Sequence, residues 1–221
     1  MTGTTRPYLE APYSKNMEKH TIITVGRQYY SGGRQVAEQL GKKLGIKVYD
    51  SELVAEAAKE SGISQELFRS RDEKRRLWGV GSIFGSNRYG SFTSGLNDGE
   101  LFRIQSEVIR RIALEGDAIF IGRASDYILR DMDTLDVFIY APMEQRRERY
   151  SRNEGVSPEE AESIIYKKDK ARAEFYNFFT FGHWGKCVSY DISLDSSILG
   201  IEGTADFIIE FGRRGGFIKD L

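Results

Sequence analysis

Cysteine is almost absent from this sequence. Cys187 stands alone among 221 residues, so no internal disulfide can form, and a reducing compartment such as the cytoplasm is expected. The two histidines, His20 and His183, are too few for a histidine metal site, and zinc-like Cys/His spacing does not occur. No apolar run reaches the ~18 residues a membrane span requires, so no membrane partner is expected. Residues 1–19 lack the apolar stretch of a signal peptide and read as a loose arm, with Met17 as an alternative start. Charge of one sign is also lacking: 32 Lys and Arg against 33 Asp and Glu leave a net charge of −1. That balance speaks against a whole-protein role on nucleic acid or a membrane surface, and leaves room for local basic clusters. Internal repeats and low-complexity tracts are missing, and so is the phosphate-loop pattern G-x-x-x-x-G-K-[ST]: Gly33, not lysine, follows Gly32.

What is present is a 40% hydrophobic chain, enough for one domain, or one domain with a movable subdomain. The rest is organised around Thr21–Ala37. Thr21 to Val25 is β-branched throughout and suits a buried strand. Ser31-Gly32-Gly33 forms the tip of a small-residue turn, and Val36, Leu40 and Leu44 repeat every four residues, on one helix face. Strand, glycine turn and helix together can close backbone N–H groups on a phosphate. The same turn would serve equally for tight packing alone.

Further along, Lys47–Asp50 reads as a second strand and Ser51–Glu60 as a helix closed at Gly62, the alternation of a parallel α/β sheet. Asp50 and Ser51 stand where a strand end delivers side chains to a ligand crevice, and either could simply cap the helix. Ser64–Leu77 reads as a charged helix and Trp78–Gly99 as a long glycine-rich, aromatic loop. Arg69, Arg71, Lys74, Arg75 and Arg76 before that loop fit a solvated helix face better than a nucleic-acid contact. An amphipathic helix at Glu100–Leu114 and a third strand at Ala118–Ile121 follow, running into Gly122-Arg123-Ala124-Ser125-Asp126. Arg123 lies on the same sheet edge as the glycine turn and opens a helix, where its charge opposes the dipole. A bound anion would explain it, and so would a surface position.

Leu135–Tyr140 is a fourth strand. Beyond Pro142, Arg146 and Arg149 share a helix face, Asn153-Glu154-Gly155 breaks that helix, and Ser157-Pro158-Glu159-Glu160 restarts one that reaches to about Tyr176. Lys168 and Arg172, four apart, point the same way. Two basic helices joined by a glycine turn make a hairpin that could close over a polyphosphate, or merely a charged helix pair. The aromatics of Tyr176–Trp184 read as its packed base. Tyr190–Asp195 is the last strand, Thr204–Phe211 the last helix, and the end of the chain reads as frayed.

These pieces resemble the cytidylate kinase-like proteins, relatives of bacterial cytidylate kinase among the nucleoside monophosphate kinases. The likeness runs from about Ile22 to Phe211. Five segments carry it: GRQYYSGGRQVAEQL, with Tyr30 in place of a glycine, then VYDSELVAEAA, IGRASDYIL, KKDKARAEFYNFFT and SYDISLDSSILGIEG. The resemblance implies an α/β fold of the P-loop, nucleoside monophosphate kinase-like type: a parallel β-sheet flanked by helices, with a helical lid. Residues 20–214 would form a single kinase-like domain, with an acceptor-side region at about 50–100, a lid at about 145–185 and a tail at 215–221. ATP with Mg²⁺ is the implied donor and a nucleoside monophosphate, CMP or dCMP, the implied acceptor.

By the same resemblance Gln28, Tyr30, Ser31, Gly32, Gly33, Arg34 and Gln35 hold the ATP. Arg34, Arg149, Lys168 and Arg172 are the catalytic cations, Arg34 standing in for the absent lysine. Asp50, Ser51, Arg123, Asp126 and Asp169 hold the acceptor, and Asp50 is a candidate for the water shell of Mg²⁺. Glu56 departs from the pattern: five residues after Ser51, true cytidylate kinases carry an acceptor-binding arginine. A nucleotide kinase, a nucleotide-binding regulator without turnover and a kinase of another acceptor are the three functions this sequence admits.

Overall fold

A computed structural model describes residues 20–60 and 98–219. The N-terminal arm, the helix expected at Ser64–Leu77 and residues 78–97 of the glycine-rich segment lie outside the described residues. Asp98 and Gly99, read as loop, already belong to a helix.

The β-branched run forms β1 (Ile22–Arg27), and the four-residue spacing forms α1 (Gly33–Leu44), which ends at Gly45 as expected. β2 (Lys47–Tyr49), α2 (Ser51–Glu60), α3 (Asp98–Glu115), β3 (Ala118–Ile121) and the short α4 (Ser125–Ile128) follow. Then come β4 (Leu135–Tyr140), α5 (Met143–Glu154), α6 (Pro158–Thr180), β5 (Ile192–Asp195) and α7 (Ser196–Arg214). The five strands pair in parallel in the order β2-β3-β1-β4-β5.

Both faces of the sheet are covered, as a parallel sheet requires. On one face Ile23, Val25, Ile119, Val137 and Ile139 meet Val36 and Leu40 of α1 and Ala205 and Ile208 of α7. On the other, Ile22, Ala118 and Phe120 meet α2 through Val54 and α3 through Ile104 and Val108. The Ser157 hydroxyl accepts the Glu160 N–H at 3.1 Å and Pro158 opens α6, which is the cap its sequence announces.

Three expectations are corrected. α6 continues past Tyr176 to Thr180, and Phe179 stacks on Phe102 of α3 at 4.2 Å between centroids. Helical structure begins at Ser196 rather than Thr204, with Asp195 capping a first turn by accepting the Ser197 N–H; Gly200, non-helical at φ 67° and ψ −176°, separates that turn from the rest of α7. The end of the chain is not frayed as far as Ile218: the Phe217 and Ile218 N–H groups donate to the Gly212 carbonyl, and the Ile218 side chain enters the core.

Candidate active site

Because all strands run the same way, their carboxyl ends meet at one edge. The turn after β1, Asp50 after β2, Gly122–Asp126 after β3 and Ser196 after β5 all lie there. An open sheet of this kind receives ligands at that edge.

The turn is built backbone first. Gly32 has φ +82°, and a Cβ on it would come within 2.5 Å of Ile201 Cδ1 and 3.0 Å of Arg149 Nη1, so only glycine fits. Tyr30 also takes a left-handed φ, 60°, which for a residue with a side chain costs about 1–2 kcal/mol. Its surroundings hold it there. The ring meets Tyr150 edge-on at 4.6 Å, and the hydroxyl donates to Glu154 at 2.5 Å. Burial and that carboxylate push the Tyr30 phenol up to about 12. Tyrosine thus holds a backbone shape that glycine adopts without that cost. The Ser31 hydroxyl lies against the Gln28 and Ile139 carbonyls, and Ser196 donates to the Ser31 carbonyl.

The carbonyls of the turn are engaged by the hairpin. Arg172 donates to the Arg27 oxygen at 2.9 Å, Arg146 to that of Tyr29 at 3.2 Å and Arg149 to that of Tyr30 at 3.1 Å. The first intrahelical bond of α1 runs from the Val36 N–H to the Gly32 carbonyl. The N–H groups from Gly32 to Gln35 therefore have no acceptor within the helix, although that of Gly33 makes a long 3.4 Å contact to the Ser31 hydroxyl, and the first turn carries no acidic residue. Amides without a helical partner at a helix start, ringed by arginines, suit a polyphosphate. Lys168 lies beside Arg172 on α6; burial first, and then the Arg172 charge, push its ammonium down, and a bound anion would relieve the second of these.

Other expected site residues are already occupied. Gln28 is a strut between the turn and β4: its N–H donates to the Ile139 carbonyl and its Oε1 accepts the Ala141 N–H. Gln35 is exposed on α1. Arg34 turns away from the turn, bonding Glu38 at 2.9 Å and Asp50 at 3.0 Å. Asp50 Oδ1 accepts the Glu52 and Leu53 N–H groups, so capping accounts for that oxygen. Asp169 accepts the Tyr29 N–H at 2.6 Å and pairs with Arg146 at 2.5 Å, so both its oxygens hold the turn to the hairpin. Ser51 starts α2, half-buried. Asp126 accepts the Tyr176 hydroxyl at 2.6 Å, and desolvation pushes its carboxyl up.

Gly122, Arg123 and Ala124 are all left-handed, with φ of 69°, 61° and 53°. Strain of this kind persists where the surroundings over-determine it, and it clusters at functional edges. Sequence reasoning passed over Arg27 and Tyr29, and left Arg146 outside the site although its face was recognised. Arg146 carries the one cue available, a helix face shared with Arg149.

Among the described residues no group of three or more His, Cys, Asp or Glu side chains could hold a metal ion, and no helix is long and apolar enough to cross a membrane. A magnesium ion carried largely by nucleotide phosphates and water does not require such a cage.

Comparison with known proteins gives the same picture. The chain is 28% identical over 186 residues to the cytidylate kinase of Methanopyrus kandleri, covering 80% of this chain and 84% of that protein. It is 27% identical to the cytidylate kinase of Pyrococcus abyssi, covering 82% and 88%. Among solved structures, an uncharacterized protein from Eubacterium ventriosum superposes with a TM-score of 0.63 at 25% identity, over 86% of this chain and 96% of its own. Shikimate kinase from Bacteroides thetaiotaomicron shares the fold, with a TM-score of 0.51 at 12% identity over 87% and 98%. The cytidylate kinase-like family matches residues 22–198, well over half of the sequence, and this protein belongs to it.

Proposed function

We propose that this protein transfers a phosphoryl group from ATP to a nucleoside monophosphate, with cytidylate as the leading acceptor. The observation that carries this is the convergence of Arg146, Arg149 and Arg172 on the turn before α1. Arg123 follows β3 on the same edge. Residues 20–214 act as one kinase-like domain, with 145–185 as its lid and the region of about 50–100 on the acceptor side.

Phosphoryl transfer asks the protein mainly to position two anions and neutralise charge. In this reading the amides of Gly32 to Gln35 hold the donor phosphates. Arg149, Lys168 and Arg172 close over them and exclude water. Arg123 and Ser51 hold the acceptor phosphate. Magnesium bound with the nucleotide supplies further neutralisation of the phosphate oxygens; Asp50, already a cap and an arginine partner, contributes at most to its water shell. Asp169 acts by fixing Arg146 and the turn.

Glu56, exposed on α2, stands where an acceptor-binding arginine would help a second anion, so the acceptor is best found with a panel. ADP release from ATP is measured with CMP, dCMP, UMP, AMP and GMP and with no acceptor. The expected result is release that depends on one of the monophosphates. Folded protein that leaves ATP untouched with every one of them would refute the proposal.

The second reading, a nucleotide-binding regulator without turnover, is favoured by one observation: Arg34 does not bring its charge to the turn. ATP binding by calorimetry with no phosphoryl transfer would select it.

A further inference from the structure

In the pattern G-x-x-x-x-G-K-[ST], the lysine follows the second glycine. Gly33 occupies that place, and its φ is not left-handed, so the backbone does not demand glycine there. Space does. A Cβ on Gly33 would lie 2.5 Å from Arg27 Cβ and 3.1 Å from Arg27 Cγ, with Ile139 Cβ also at 3.1 Å. The stem of Arg27 fills the volume in which a side chain at position 33 would begin.

The other end of Arg27 is bracketed in the same way. A Cβ on Gly122 would overlap the Arg27 guanidinium. Arg27 leaves the last position of β1, on the face of Ile23 and Val25, passes the first turn of α1 and ends against the strained backbone just before Arg123. Its own carbonyl accepts Arg172. One side chain thus spans from the glycine turn to the end of β3, with a glycine making room at its root and another at its head.

We propose that Arg27 is the cation of this phosphate loop, taking the lysine's place from the end of β1 and contacting the phosphoryl group in transit. This inference rests on the kinase reading above. In the step it serves, the bond from the transferred phosphorus to the donor's bridging oxygen breaks and its electron pair leaves with ADP. A new bond forms to a phosphate oxygen of the acceptor. Arg27 exchanges no proton; it stabilises the charge that builds on the oxygens between donor and acceptor.

The test uses four variants of the full chain: Arg27→Ala, Arg27→Lys, Gly33→Lys, and the double variant Arg27→Gly/Gly33→Lys, since only glycine at position 27 removes the Cβ that lies 2.5 Å from the place of a Gly33 Cβ. Each is measured for acceptor-dependent ADP formation, for ATP and AMP binding by calorimetry with magnesium, and for thermal unfolding. Arg27→Ala is expected to lower kcat by about 100-fold or more, the scale for losing one preorganised transition-state donor. It should weaken ATP but not AMP. Gly33→Lys alone should fail by collision with the Arg27 stem. The double variant, which vacates that volume and refills it with a lysine, should recover at least about tenfold of the lost kcat, a gain that a merely structural role would not produce.

Arg27→Ala with kcat and ATP affinity within threefold of the parent would overturn the proposal. If Arg27→Ala does not fold, Arg27→Lys and the double variant decide by the same readouts. If the parent binds ATP without turnover, the kinase reading fails, and Arg27 is judged by selective loss of ATP over AMP. A parent that binds neither nucleotide overturns both.

Discussion

Asp136 is a carboxylate inside a sheet. Its Oδ1 accepts the Thr24 hydroxyl at 2.7 Å and the Thr134 hydroxyl at 3.0 Å. Burial pushes it up to about 7; the Thr24 hydrogen bond opposes this, and the nearby charges of Asp126 and Asp191 add to it. The phenols of Tyr176 and Tyr190 lie close enough to feel its charge and are themselves pushed up by burial. Since the folded value lies above the unfolded one, the native state holds a proton that the unfolded chain has released. The stabilisation is therefore fully present below about pH 4 and is lost as pH rises through about 7. Melting temperature, measured between pH 5 and 8 in constant salt, should fall toward the alkaline end. In Asp136→Asn, whose amide oxygen can still accept from both threonines, the slope should be clearly smaller. Equal slopes in the two proteins would show that this carboxyl is not the group responsible.

At the scale of elements, the α5–α6 hairpin is tied to the glycine turn by a buried ion pair. Arg146 is 5% exposed, and its partner Asp169 also caps the Tyr29 N–H. Removing one member strands the other, at about 3–5 kcal/mol, whereas replacing both with apolar residues can be close to neutral. Asp169→Ala should therefore lower the urea midpoint more than Arg146→Met/Asp169→Leu does. The reverse order would show that an unpaired Arg146 charge is not the dominant cost of the single substitution. α7 offers a second test. Ile218, 5% exposed, folds back against Gly212 and Leu135 beyond the helix end. Ile218→Ala should cost about 2–5 kcal/mol in urea unfolding, and a loss below 0.5 kcal/mol would return the segment to the frayed tail expected from its glycines.

At the scale of the molecule, the strand order β2-β3-β1-β4-β5 is what turns scattered residues into one edge. Much of this was legible beforehand. β-branched runs marked the strands and four-residue spacing marked α1. Ser157-Pro158 marked the start of α6 and a repeated basic face marked the hairpin. What escaped depends on contacts that no local pattern carries. Arg27 looks like the last residue of a strand until Gly33 and Gly122, far apart in the chain, are seen to bracket it. Asp169 reads from the sequence as an acceptor carboxylate, and its pairing with Arg146 is not legible there, because that pairing needs the hairpin closed on the turn. Arg34 carried the right charge at nearly the right place, and only its bonds to Glu38 and Asp50 show that it faces elsewhere. Ile218 was hidden by a glycine-rich, basic context that reads as unfolded.

In the proposed reaction, donor and acceptor meet at this edge under separate sets of cations. Arg123→Ala, assayed for acceptor-dependent ADP formation and for ATP affinity by calorimetry, tests that division most directly. kcat/KM for the acceptor should fall about 100-fold or more, the scale of a lost charge-bearing contact, while the ATP dissociation constant stays within threefold. Equal losses in both, in a variant that melts at the parent's temperature, would contradict that division.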